Sequence, residues 1–312
     1  MLSRVGNDLF WMGRYLERTD HIARYMKVNY FTSLDAPNVL SNSRKFVLES
    51  ILYMVGSDYN GAIEESDVLF FAGLDPDHGN SILSTLTTAR KNAMGTRHLI
   101  STELWEAINK YYHFVANYSP DVFTQTGLYD LTTRANENCS LIRNKVIRTL
   151  LHDEVFLIIM LGMYVERALQ ITRIIHTKRW DVERIRAEQP DAPNQIYEWA
   201  TLLRCCEAFD MSKKHYKKIP DKWEAVEFMV LNRINPKSIV YCLGHIDNFL
   251  LRISGKNHYP SESVEFQSGK FFNAFRYITI DDISQDLEGF LHETLESIQG
   301  ISSRLEYDYL SV

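Results

Sequence analysis

Two carboxylates recur in this chain, each followed by an arginine. Glu17 precedes Arg18, with Arg14 behind it and His21 and Arg24 ahead; Glu166 precedes Arg167, with Arg173 standing where Arg24 stands in the first stretch. Arg14, Glu17, His21 and Arg24 are spaced three and four apart, so on a helix they stack on successive turns and Glu17 is bracketed by cations. Arg18 lies among Trp11, Tyr15, Ile22 and Tyr25, and Arg167 among Met160, Met163, Tyr164, Ile171 and Ile174. An arginine on such an aromatic and apolar face is either paired internally or aimed at an anion, because the flat guanidinium holds carboxylate or phosphate through two parallel hydrogen bonds. Two chemistries follow. Either each Glu-Arg pair is a buried ion pair that fixes the fold, or the two stretches converge on one site. In the second case Arg14, Arg18, Arg24, Arg97, Arg167 and Arg173 are the candidate anion-binding residues, and Glu17 or Glu166 is the candidate general base. The spacing excludes neither.

Other chemistries find less support. A carboxylate-bridged di-metal bundle uses Glu-x-x-His pairs, and the chain has only Glu17 with His21 and Glu288 with His292, one residue too far apart. No metal is expected. There is no P-loop, Rossmann glycine fingerprint or G-x-S-x-G elbow, so a self-contained nucleotide-dependent enzyme is disfavoured and no cofactor is expected. Cys139, Cys205, Cys206 and Cys242 lack zinc-ligand or C-x-x-C spacing and read as free or buried thiols of a reducing compartment.

The elements that must position these residues are helices. Phe10 to Arg24 returns, without a gap, at Ile159 to Arg173 as G-x-Y-[LV]-E-R-x-x-x-I-x-R, an offset of 149 residues. Leu2, Val5, Leu9, Met12, Leu16, Ala23 and Met26 give the first copy an apolar face at three- and four-residue steps. Further on, Phe71, Leu74, Ser81 and Ile82 correspond to Phe228, Leu231, Ser238 and Ile239 at an offset of 157. Ser81 and Ser238 are expected helix N-caps. No convincing alternating strand pattern occurs. The expectation is an all-α bundle, one domain over 1–312, built from divergent internal repeats at about 1–118 and 152–255 and closed by a C-terminal helix at 281–309. Pro190 and Pro193 are expected to end the helix that carries the second motif, and Gly255 to Ser268 reads as a loop. Gly95 is expected to mark a bend before a helix from Thr96 to Asn117, on which Arg97 and Glu103 are candidates for the same polar cluster and Trp105 for the core.

The opening MLSRVGNDLFWMGRYLERTDHIAR, together with Asn80-Ser81-Ile82, the run from Arg97 through Ser101, Glu103 and Trp105 to Asn109, the second Tyr164-Val165-Glu166-Arg167, and Asn235-Pro236-x-Ser238-Ile239, resembles the alpha-E family of bacterial helical proteins. The resemblance extends over essentially the whole chain. It implies two partners, a circularly permuted ATP-grasp protein and a transglutaminase-like protein, and a pathway that forms or modifies amide or peptide bonds. Within that pathway the chain is an accessory subunit gripping a carboxylate, a catalyst using Glu17 or Glu166, or a scaffold whose Glu-Arg pairs serve only the fold.

Composition sets bounds. The 312 residues are 45% hydrophobic, 12% aromatic and 24% charged, with ample material for a core. A net charge of −6 disfavours nucleic acid and anionic membrane as partners. The basic run Lys213 to Lys218 reads as a solvated loop. No signal peptide is read at the N-terminus, the apolar Ile158 to Met163 is flanked by charges and falls short of a bilayer span, and a cytoplasmic location is expected.

Overall fold

The computed structural model describes residues 3–36, 42–56, 63–189, 196–256 and 258–310. Thirty residues without a proline form α1 (Ser3–Thr32). After it come α2 (Arg44–Val55), α3 (Glu65–Gly73), α4 (Ile82–Gly95) and α5 (Thr102–Ala116). A short turn, α6 (Pro120–Val122), passes through a π-turn into α7 (Leu128–Thr149), and α8 (Glu154–Glu188) is the second long helix. The chain continues through α9 (Ile196–Cys205), α10 (Phe209–Tyr216), α11 (Lys222–Val230), α12 (Ile239–Ser254), α13 (Val264–Tyr277), α14 (Ile280–Gln285) and α15 (Leu287–Leu305). Among the described residues there is no strand, so the architecture is all-α.

α1 and α8 are the axis of the molecule. α1 packs along α8 and also against α4 and α7, while α12 and α15 also pack on α8 and α13 lies on α12. One continuous apolar core runs from Leu9 and Phe10 through Leu161 and Val165 to Ile246 and Leu291. α8 is long and apolar enough by composition to cross a membrane, contrary to the expectation from its flanking charges, but 94% of its apolar window is buried inside the protein. Its apolarity is that of a central core helix.

Side-chain caps start several helices where the sequence places them. Ser81 Oγ accepts from the Ser84 amide at 3.0 Å and Ser238 Oγ from the Tyr241 amide at 3.1 Å. Asp153 accepts from the Val155 and Phe156 amides to begin α8. Each cap satisfies an amide that the helix leaves unpaired.

Four expectations are corrected. Gly95 ends α4, but the next helix begins at Thr102 behind the cap Ser101 rather than at Thr96. Lys213 to His215 lie on α10 and not in a loop. The stretch read as a loop to Ser268 becomes helical at Val264, where Ser263 caps α13. The closing helix is two, because Asp286 leaves helical geometry (φ −148°, ψ 82°) and caps α15 anew by accepting from the Gly289 amide. Pro190 and Pro193 lie outside the described residues.

Candidate functional site

Gly13 and Gly162 are what allow the two motif copies to meet. A Cβ on Gly13 would stand 2.3 Å from the Ile159 carbonyl oxygen, and one on Gly162 would stand 2.1 Å from that of Phe10. Backbone therefore touches backbone at this point, and glycine is required by close approach rather than by φ. The next contacts are reciprocal too: the Gly13 position faces the Met163 amide at 3.2 Å and the Gly162 position the Arg14 amide at 3.2 Å. α1 and α8 run in the same direction, so residues near one offset lie side by side, as with Asn29 and Lys178, 149 residues apart.

This registry makes the motifs cross. Glu166 of α8 accepts from α1: Arg18 Nε reaches Oε1 at 2.6 Å, Arg18 Nη2 reaches Oε2 at 3.1 Å and Arg14 Nε reaches Oε2 at 2.9 Å. Gln170 Nε2 donates to Oε1 at 2.7 Å. In the other direction Glu17 Oε1 accepts from Arg167 Nε at 2.6 Å and Oε2 from Arg143 Nη2 at 3.1 Å. Glu17 and Glu166 are both buried. Burial alone would raise the Glu17 pKa, but Arg143, Arg167 and His21 hold it well below the ordinary carboxylate value. Glu166 is likewise held low, by Arg18 and Arg14, against its burial. Burial would lower the Arg18 and Arg167 pKa values, and their glutamate partners raise both instead.

The Glu17 side extends into a polar layer that helix spacing alone did not reveal. Asp20 Oδ1 accepts from Arg24 Nη2 at 3.0 Å and Asn136 Nδ2 at 2.8 Å, and its Oδ2 accepts from Arg143 Nη2 at 3.1 Å. Arg24 also meets Glu207 at 2.7 Å, which in turn takes Lys237 Nζ at 2.7 Å. Arg143 was missed although α7 carries a signal. Asn136 and Arg143 stand next to Cys139 and Ile142 on the face otherwise formed by Leu131, Ala135 and Val146, and polar residues on an apolar face call for partners.

Ligand atoms of Glu17, Asp20 and His21 lie within 4.8 Å of one another and form a candidate metal-binding group. Arg167, Arg143 and Arg24 already bond to the carboxylate oxygens that an ion would need. His21 Nδ1–H donates to the Glu17 carbonyl oxygen at 2.9 Å, and burial lowers its pKa. Glu288 and His292 lie apart from this group and are both exposed, Glu288 2.9 Å from Arg179 and His292 3.2 Å from Glu296.

Arg173 behaves unlike the other candidates. Among the described residues its guanidinium has neither an ion pair nor a hydrogen-bond partner, and burial lowers its pKa, with Glu166 opposing and Arg18 and Arg14 adding to the shift. It lines a pocket of about 270 Å³ with Tyr53, Val55, Gly56, Asn80 and His176. Asn80 is held there from both ends: its Oδ1 accepts from Arg18 Nη1 at 3.1 Å and its Nδ2 donates to the Val55 carbonyl at 3.0 Å. Arg14, Arg18 and Arg173 thus surround a single carboxylate, Glu166. Arg97 is exposed and lies over Trp105 at 5.3 Å; it does not join the cluster, nor does the exposed Glu103. Trp105 itself is half-buried against the core.

Comparison with known proteins gives a family and distant relatives. The family model described as "Alpha-E: a predicted alpha-helical domain with a conserved ER motif" matches residues 1–310. The uncharacterized protein Rv2567 of Mycobacterium tuberculosis and the uncharacterized protein Mb2597 of Mycobacterium bovis are each 23% identical over 326 residues, which covers 97% of this chain and 35% of the relative. The chain therefore spans about a third of the length of these curated relatives. No solved structure matches it.

Proposed function

This chain belongs to the Alpha-E family, and from that premise we propose that it is a helical binding subunit that presents an anion site beside a structural Glu-Arg lock. In this reading the reciprocal pairs of Glu17 with Arg167 and Glu166 with Arg18 hold α1 to α8 in register, as the meeting line of two duplicated halves. Arg173, backed by Arg18 and Asn80, takes a carboxylate or phosphate. The observation that carries the reading is the charge of the cluster: three guanidiniums face one carboxylate, and the guanidinium left without a partner opens into a polar pocket. A half-buried cation without a directly paired counter-charge costs folding energy, and an anionic ligand offsets that cost. The reading as a catalyst with Glu17 or Glu166 as base is less favoured. Both carboxylates are enclosed by guanidiniums and held ionised far below neutral pH, whereas an efficient base titrates near the working pH.

The partners in this proposal are the circularly permuted ATP-grasp and transglutaminase-like proteins that the family resemblance implies, acting in the cytoplasm on a carboxylate-bearing amino acid or peptide. The relatives' extra length supports a module that works beside further polypeptide. The test is thermal unfolding with N-acetylglycine or inorganic phosphate added. Wild type should gain about 2 to 3 kcal/mol at an anion concentration near 100 times Kd, and Arg173→Gln should gain nothing while melting at or above unliganded wild type. Equal shifts in both proteins, or none in either, would overturn the anion site.

A further inference from the structure

A second cleft lies between α12 and α13, away from the Arg173 pocket and lined by other elements. It has a volume of about 560 Å³ and is bounded by Arg233, Tyr241, Gly244, His245, Phe272 and Arg276 among others. That volume suits a small organic ligand. Its floor is aromatic. Tyr241 and His245 have ring centroids 4.6 Å apart, and His245 stacks on Tyr164 of the second motif at 4.5 Å and 7°. Phe272 approaches because residue 244 is glycine, where a Cβ would already meet the Phe272 ring at 3.2 Å.

The mouth is cationic. Arg233 Nη2 donates to the Arg276 backbone carbonyl at 3.0 Å, which ties its guanidinium to the end of α13, and Arg276 Nη1 donates to Asn273 Oδ1 at 3.2 Å on the same wall of the cleft. Among the described residues neither arginine pairs with a carboxylate, and none of the lining residues is acidic. His245 adds no charge at neutral pH, since burial and then Arg167 lower its pKa; it contributes a flat, uncharged face.

We propose that this cleft binds a small aromatic anion, its ring placed against Tyr241, His245 and Phe272 and its negative group held by Arg233 and Arg276. Aromatic floors accept any planar ring through stacking, and guanidiniums free of carboxylate partners select carboxylate or phosphate. The same chemistry is offered by a nucleoside monophosphate and by an aromatic amino acid with a free carboxylate. The inference does not depend on the Arg173 site.

Calorimetric titrations of the full chain with AMP, N-acetyltyrosine and inorganic phosphate test it. AMP or N-acetyltyrosine should bind saturably and at least about tenfold more tightly than phosphate, a margin of about 1.4 kcal/mol. Preference for AMP identifies a nucleotide source, and preference for N-acetyltyrosine a peptide or amino-acid source. Arg276→Gln, an exposed change, should weaken binding at least about tenfold, and Gly244→Leu should abolish it by displacing Phe272, each change being made in an Arg173→Gln background so that the other anion site does not contribute heat. If Gly244→Leu does not fold, the Arg276→Gln result decides alone. Failure of both aromatic ligands to saturate by about 5 mM, or affinity equal with and without Arg276→Gln, overturns the proposal.

Discussion

Glu166 accepts four hydrogen bonds from three side chains without leaving the interior. Two of the donors are guanidiniums, and among the described residues Glu166 is the one carboxylate that Arg14 and Arg18 pair with, although neither cation can shed a proton at any ordinary pH. Glu166→Gln keeps the shape and one acceptor oxygen but leaves the buried Arg14 and the half-buried Arg18 without their counter-charge. Breaking a buried pair from one side costs about 3 to 5 kcal/mol, well above the value of an exposed ion pair. Urea unfolding at pH 7 should show a loss of that size, with the slope against denaturant unchanged. A loss under about 1 kcal/mol would mean that Glu166 does not lock the helices, and would return it to consideration as a working base.

Helix pairing turns on a backbone contact that side-chain arguments miss. Gly→Ala at an exposed helix position stabilises by about 1 kcal/mol through helix propensity. At Gly162 the same change puts a methyl 2.1 Å from the Phe10 carbonyl oxygen and 3.2 Å from the Arg14 amide. The obstacle is backbone of another helix and cannot rotate aside, so α1 and α8 must separate and the crossed ion pairs with them. Overpacking of this kind costs about 1 to 3 kcal/mol and sometimes more, which outweighs the propensity gain. Gly162→Ala should therefore lower the melting temperature in a calorimetric scan; an increase would show that the close approach is not required. Gly13 and Gly162 were legible in the sequence as aligned positions, as were the apolar face of α1 and the caps Ser81 and Ser238, because each depends on spacing within one element. What was not legible depends on which elements meet. Arg143 joins Glu17 across 126 residues, and Arg97, expected on a helix, lies in the turn before α5 and is exposed over Trp105. The start of α13 was obscured for a local reason: Gly255 and Pro260 are strong turn signals that masked the cap at Ser263.

Across the whole molecule, buried charge makes stability a function of pH. Glu17, Asp20 and Glu166 have folded pKa values below their ordinary ones, Asp20 near about 2. A carboxyl with a depressed pKa binds fewer protons folded than unfolded, so its contribution is complete above the unfolded pKa and lost as pH falls toward the folded one. The buried histidine His21 and the half-buried His176 and His245 are also depressed from 6.5, chiefly by burial. They follow the same sign, with the loss beginning as pH falls through 6.5 and the unfolded chain takes up protons. Asp181 opposes. It shares the buried Lys178 with Glu198, and burial raises its pKa from 3.8, so it favours the folded state in acid. The half-buried Asp247 is raised by burial as well, whereas Lys237 and Arg24 hold Glu207 low against its burial, so the depressed carboxyls Glu17, Asp20, Glu166 and Glu207 outweigh the raised Asp181 and Asp247. The urea midpoint should hold steady above about pH 7.5, decline through the histidine range, and fall steeply below about pH 4.5. In Asp20→Asn the steep limb should become shallower, because a group whose pKa drops from 3.8 to about 2 on folding is gone. A midpoint that stays level from pH 7 to pH 3 would mean that the crossed carboxylates are not held ionised by the arginines around them, and the lock between α1 and α8 would have to rest on apolar packing alone.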